Sequence, residues 1–450
     1  MTLTASAPSQ IRPAPARGGT VAVPFMPLIL GAALALTVVM GTDAFLGNIL
    51  GGPSIMGHDD AAAQPIRSKL WIITYGLYIL CLGLDWQVAV QVPRRFWPAL
   101  IPPVYFASSA FWSHEVAPAL FSGVQLIFTT AFALYAGWRL GARRTAQALA
   151  AAFAFIAVCD IIFIAVLPKY GIMNFYYPGA WQGVYFLKNN LAADTELGLI
   201  TFIILGMSRA SRIRWIYLGL AALSALLVLG SQSKGGLVLL LLLPFFLYSM
   251  QLFRLRGARA WPTQVGVLVA ATTAVTLGLF AYRYVLAALG KDETLTGRTQ
   301  LWSFAMGSVQ EKPALGFGYD SYWTDTSPWG GAALNVSTTW DAHSLHNGWL
   351  EVLVQGGVFG VVIYAAFAVM LFSYGLKCLR LGRDAIFGWP LLVVIYVFGW
   401  SLFRADLLKH RELFNTILAL ALGSAAAEID RRRMADAAGA QRVAAARAAS

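Results

Sequence analysis

The stretch 116-VAPALFSGVQLIFTTAFALYAGW-138, followed by RLGARR at 139–144 and 145-TAQALAAAFAFIAVCDIIFIAVL-167, decides the fold. Each flanking run has 23 residues, enough for a helix to cross a hydrocarbon layer of roughly 30 Å at about 1.5 Å per residue. The linker holds Arg139, Arg143 and Arg144, and such a cluster keeps a short loop in the cytoplasm. Working outward, similar runs cover 21–40, 70–84 and 96–112 on the N-terminal side. On the C-terminal side they cover 191–207, 215–230, 236–253, 265–284, 348–374, 386–403 and 413–427. Twelve spanning helices follow, so the chain reads as an all-α polytopic membrane protein with both termini on one side.

Composition supports the same class. Of 450 residues 58% are apolar and 12% charged, against roughly 45–50% and 25% in soluble domains, which excludes a water-soluble enzyme. The mean hydropathy is +0.65. A net charge of +12 could suggest nucleic acid, but in a membrane protein the positions of the charges matter more than their sum. Alternate loops and the two ends collect 21 of the 33 basic residues, as cytoplasmic loops do, so no nucleic-acid partner is expected. The first run is longer than the apolar core of a usual signal peptide and is read as a helix. Cys81 and Cys159 lie inside apolar runs and Cys378 at the edge of another; no disulfide is expected. The organisation is a disordered cytoplasmic N-terminus (1–20), helices one to nine (21–284), a long outer loop (285–347), helices ten to twelve (348–427) and a disordered cytoplasmic tail (428–450).

The outer loop is too long for a plain connection and reads as functional. Gly297-Arg298-Thr299-Gln300-Leu301-Trp302 opens a stretch with Leu301, Phe304, Ala305 and Val309 at helical spacing, ending before Pro313, which predicts an amphipathic interfacial helix. Aromatic and acidic residues follow, among them Tyr319, Asp320, Tyr322, Trp323, Asp325, Trp329, Trp340 and Asp341. Such sets bind sugars and also form membrane-interface belts. Asp341, His343 and His346 could hold a metal. A neutral His346 at the mouth of a helix could instead act as general base, because an unperturbed imidazole titrates near working pH; a capping or belt histidine is the structural reading. The outer basic residues gather at Lys169 and Lys188, Lys234, Arg283 to Lys312, and Arg404, Lys409 and Arg411. Asp160, Asp194 and Glu196 are expensive in lipid and should face the bundle interior. Asp160 reads as deep, which would suit a transporter.

In order, Ser109-Ala-Phe-Trp112-Ser113, Trp181-Gln-Gly-Val-Tyr-Phe-Leu-Lys188-Asn189, Ser233-Lys234-Gly235, Gly297-Arg298 with Trp302, Pro313-x-x-Gly316-x-Gly318, and His346-Asn347 followed by Gly357-x-x-Gly360 resemble the O-antigen ligase and polysaccharide polymerase (Wzy-type) family. The resemblance runs from about Ser109 to the end of the tenth helix. The family has arginine where this chain has Lys234, which keeps the charge and loses the bidentate fork.

The resemblance implies a GT-C-like frame with a periplasmic loop carrying short helices, in the bacterial inner membrane. It implies transfer of a glycan from undecaprenyl pyrophosphate to a sugar hydroxyl by an inverting, metal-independent glycosyltransferase that uses no cofactor. The acceptor would be a lipid-linked repeat unit for a polymerase, or lipid A–core for a ligase. His346 would be the base, and Arg298, Lys234 and Lys188 would hold the donor pyrophosphate. His343, Asn347, Asn189 and Asp341 would support them. The Trp-Ser element and the Lys188-Asn189 loop look more like an exopolysaccharide-type polymerase than a ligase. A lipid-linked glycan transporter and a non-catalytic assembly subunit are the other classes.

Overall fold

The computed structural model describes residues 25–45, 64–174, 177–255, 262, 266, 298–324, 327–330 and 344–449. The main helices are α1 (Met26–Gly41), α2 (Gln64–Leu84), α3 (Val92–Ser108), α4 (Val116–Val166), α5 (Lys188–Met207) and α6 (Arg214–Ser231). They continue with α7 (Lys234–Phe253), α8 (Arg298–Glu311), α9 (Gly348–Leu379), α10 (Trp389–Trp400) and α11 (Leu413–Ala449). Among the described residues there is no strand, only an isolated bridge between Ile172 and Trp181. Every expected apolar run falls on a helix over its described residues; of 265–284 only Gly266 is described. Six helices there are long and apolar enough to cross a membrane, namely α4 to α7, α9 and α11; α1 and α10 are shorter.

The deciding stretch forms one 51-residue element, α4, broken at Gly141, whose φ of 76° is open to glycine without a Cβ penalty. The break, in the turn that carries Arg139, Arg143 and Arg144, frees backbone groups of both half-helices, and α11 supplies them with partners. Ala142 N donates to Glu428 Oε1 at 3.0 Å, and Arg431 Nη2 donates to the Leu140 carbonyl at 3.2 Å. The two helices pack backbone to backbone: a Cβ on Gly423 would stand 2.3 Å from the Leu134 carbonyl. Small residues permit that approach where no hydrophobic force drives helices together.

The loops rich in arginine converge on one end of the bundle. Arg95 and Trp138 both reach Asp430, at 2.8 and 3.2 Å. Arg143 bonds Ser208 at 2.7 Å, Ser208 bonds Asp384 at 2.7 Å, and Arg254 reaches the Asp384 carbonyl at 3.1 Å.

One expectation is corrected. The tail beyond Asp430 continues α11 as an exposed helix to Ala449, in place of disorder; its alanine and arginine content favours helix even without packing. Asp160 is fully buried, as expected, six residues before the end of α4, and its Oδ1 accepts from Val184 N at 2.9 Å, which anchors the loop that leads to α5.

Candidate functional site

The residues singled out in the sequence meet at the end of the bundle opposite the arginine cluster. Asn347 caps α9, its side-chain oxygen accepting from Trp349 N and Leu350 N at 3.0 and 3.2 Å, as an asparagine N-cap does. Just before it, His346 holds a left-handed φ of 49°, which for a non-glycine residue costs on the order of 1 kcal/mol and persists only where neighbours enforce it. The enforcement is visible at Leu345: its N donates to Glu351 Oε1 at 2.7 Å, and its carbonyl accepts from Trp302 Nε1 at 2.8 Å. One partner comes from α9 and the other from α8. Gly348 N is tied to the Ser401 carbonyl at 2.7 Å, which seats the start of α9 on the end of α10.

Arg298 opens α8 as expected, half-buried, and its charge acts on His346. It also lies in the field of Tyr177. The ring of Tyr177 sits 3.7 Å from Lys188 Nζ, close enough for a strong cation–π contact. Lys188 Nζ also donates to the Gln232 carbonyl at 3.2 Å. Gln232 is left-handed, with φ 51°, and turns α6 into α7. At that turn Ser233 Oγ donates to Asn189 Oδ1 at 2.8 Å, so the Lys188-Asn189 and Ser233-Lys234 motifs form one unit. Lys234 lies near enough to act on the Lys188 charge. Lys188 and Arg298 therefore share Tyr177, Lys234 acts on Lys188, and the Arg298 charge reaches His346. His343 and Asp341 lie outside the described residues, as do Trp340 and Asp325. Among the described residues no group of three or more His, Cys, Asp or Glu is placed to hold a metal.

The glycine motifs are joined as well. α9 breaks at Gly357, φ 61°, and residues 313–318 fill the break. Phe317 N and Gly318 N donate to the Val354 and Gln355 carbonyls at 2.9 and 3.0 Å, while Val358 N reaches the Pro313 carbonyl at 2.8 Å. A Cβ on Gly357 would stand 2.2 Å from the Ala314 carbonyl. The early Trp-Ser element supports this clasp: Ser109 Oγ accepts from Tyr319 N at 2.7 Å, and Trp112 Nε1 donates to the Leu315 carbonyl at 3.1 Å.

Sequence reading singled out Arg404 but missed three residues, Asp406, Glu351 and Tyr177. Arg404 pairs with Asp406, and its Nη1 lies 3.9 Å from Asp194 Oδ1; both members of the Arg404–Asp406 pair act on His346, as does Lys409. Glu351 is buried and accepts from Leu345 N, from Trp323 Nε1 at 3.0 Å and from Gln355 Nε2 at 2.9 Å. Tyr177 is the third. The signals available were the charge run 404-RADLLKHRE-412 between apolar helices and one acid four residues after Asn347. Glu196, expected to face the interior, accepts from Trp400 Nε1 at 2.7 Å.

Burial, then the Arg298 charge, pushes the His346 imidazole down to about 4. It is therefore neutral near pH 7 and able to take a proton. Burial also lowers the Arg298 guanidinium from its ordinary value, yet arginine stays charged in proteins. The arrangement offers one proton acceptor beside several fixed cations, a setting that stabilises a leaving oxyanion.

Comparison with known proteins finds two similarities. Residues 219–365 match the O-antigen ligase family (Wzy_C), a segment containing Lys234, Arg298, His346 and both glycine motifs. The chain is also 23% identical over 380 residues to the exopolysaccharide production protein ExoQ of Rhizobium meliloti (strain 1021), covering 80% of this chain and 83% of that protein. Both findings support the O-antigen ligase and Wzy-like resemblance read from the motifs.

Proposed function

We propose that this membrane protein, similar to O-antigen ligases and to an exopolysaccharide production protein, is a glycosyltransferase that polymerises undecaprenyl-pyrophosphate-linked repeat units into surface polysaccharide. The observation that carries the reading is that Lys188 and Arg298 share Tyr177, with Lys234 acting on Lys188, while the Arg298 charge reaches a buried, neutral His346. The arginine-rich end is then cytoplasmic by charge, and the site faces the periplasm of the inner membrane, with both termini inside. The domain division at 285–347 and 348–427 follows from that orientation.

In the step proposed, the acceptor hydroxyl oxygen bonds to the anomeric carbon and its proton passes to the His346 imidazole. The carbon–oxygen bond to pyrophosphate breaks with its electron pair leaving on the phosphate. Arg298, Lys188 and Lys234 stabilise the charge that develops there, the part that a divalent metal plays elsewhere. Attack opposite the departing pyrophosphate inverts the anomeric centre. His343, Asp341, Asn189 and Asn347 would support the site, the last through its cap.

The family description favours a second reading, an O-antigen ligase that passes the glycan to lipid A–core. Deleting the gene in its host and weighing carrier-linked and surface glycans separates the two. Single repeat units accumulating on the carrier establish the polymerase. Long polymer retained on the carrier, with a bare lipid A–core, establishes the ligase.

A further inference from the structure

A cavity of about 520 Å³ is lined in part by the connection 404–412 and by Glu351, which holds the backbone next to His346. That volume lies within the roughly 300–1,000 Å³ of small-molecule sites. Arg404 and Asp406 turn from this connection towards Asp194 and His346. Lys409, Arg411 and Glu412 line the cavity, opposite Asp320, Trp323 and Phe121. The lining thus mixes cations, carboxylates and aromatic faces. Cations and carboxylates suit a ligand rich in hydroxyls, and aromatic faces cover the C–H face of a pyranose.

The cavity is also wired to the proposed base. Asp320 stands in the left-handed region, φ 55°. Its N donates to Gln355 Oε1 at 3.0 Å and its carboxylate accepts from Ser122 at 2.6 Å. Gln355 Nε2 donates to Glu351 Oε2, and Glu351 Oε1 accepts from Leu345 N, the residue before His346. A hydrogen-bonded chain therefore runs from the cavity wall to the backbone that holds His346 in its strained conformation. A ligand seated against Asp320 would press on the same chain.

We infer that this cavity binds the acceptor, the terminal pyranose rings of the lipid-linked repeat unit, and that Asp320 and Arg411 hold its hydroxyl groups. The inference rests on the glycosyl-transfer reading above, since an acceptor needs a donor site next to it.

The test uses a two-repeat oligosaccharide released from the host's own surface polysaccharide, titrated onto the detergent-solubilised full-length protein and followed by ligand-observed NMR. Wild type and His346→Ala bind the fragment alike, whereas Asp320→Asn and Phe121→Ala each weaken binding tenfold or more at unchanged melting temperature. In turnover assays Asp320→Asn raises the KM for acceptor and leaves the KM for lipid-linked donor unchanged. Fragment binding that is absent in wild type, or equal in all variants, overturns the assignment. So does a change confined to the donor KM. Should wild type bind the fragment in this pattern yet fail to elongate lipid-linked donor, the glycosyl-transfer reading fails and the glycan site stands.

Discussion

His346 combines a left-handed backbone, burial and a neighbouring guanidinium, and each has a measurable consequence. Its pKa is depressed to about 4 from about 6.5 in the unfolded chain. The unfolded state therefore binds the proton first, and the stability contributed by this group is present above pH 6.5 and lost as pH falls towards 4. If His346 is the base, the acid limb of kcat/KM lies near pH 4 and not near 6.5, which a pH–rate profile on purified enzyme reads directly. Replacing His346 or Arg298 with alanine should abolish product while the protein still inserts, judged by membrane fractionation; a fully active His346→Ala variant would sink the catalytic role. Asn347→Ala removes a helix cap and should lower stability by about 1 kcal/mol, seen as a lower melting temperature. At this scale the sequence was legible where a residue carries its own motif, as Lys188-Asn189 and His346-Asn347 do. Glu351 and the Arg404–Asp406 pair were not, because an isolated acid in an apolar helix does not say which of many distant donors it meets. Trp323, Gln355 and Leu345 become its partners only once the chain between them has folded back.

Among the elements, α9 is the one whose irregularity is used. The break at Gly357 exposes carbonyls and amides that residues 313–318 engage, so two glycine motifs that look independent along the chain are halves of one clasp. Gly357→Ala puts a Cβ on a positive φ and against the Ala314 carbonyl. It should destabilise the protein by more than about 1 kcal/mol and depress turnover, whereas alanine at exposed Gly307, with open space around it, should do neither. Melting temperature and rate measured on the pair check this. Hydropathy located the helices because span length is a property of the run itself. It could not show that 116–167 folds as one broken element, since a single left-handed glycine leaves no trace in an apolar average.

For the whole molecule the organising feature is the separation of two charged ends, arginine-rich loops at one and the candidate site at the other. Cysteines placed at Arg212 and Gln310, both exposed, should differ in intact cells: a membrane-impermeant maleimide admitted to the periplasm labels Gln310→Cys and spares Arg212→Cys. Labelling in the reverse pattern would invert the proposed topology. The charge count along the sequence already contained this asymmetry. The extension of α11 to Ala449 was hidden, because a tail rich in alanine and arginine satisfies the compositional rule for disorder and the propensity rule for helix equally well.

The capping of Gly141 by Glu428 and Arg431 also imposes an order in time. The partners of Ala142 N and Leu140 O lie 286 and 291 residues further along the chain, so during synthesis at roughly 5–20 residues per second they arrive about 15–60 s later. Throughout that interval the hairpin sits in the bilayer with its turn unfinished, dependent on water, lipid headgroups or the insertion machinery. The last helix to leave the ribosome completes the first long one, and a chain stalled before residue 413 presents quality control with an open end at the heart of the bundle.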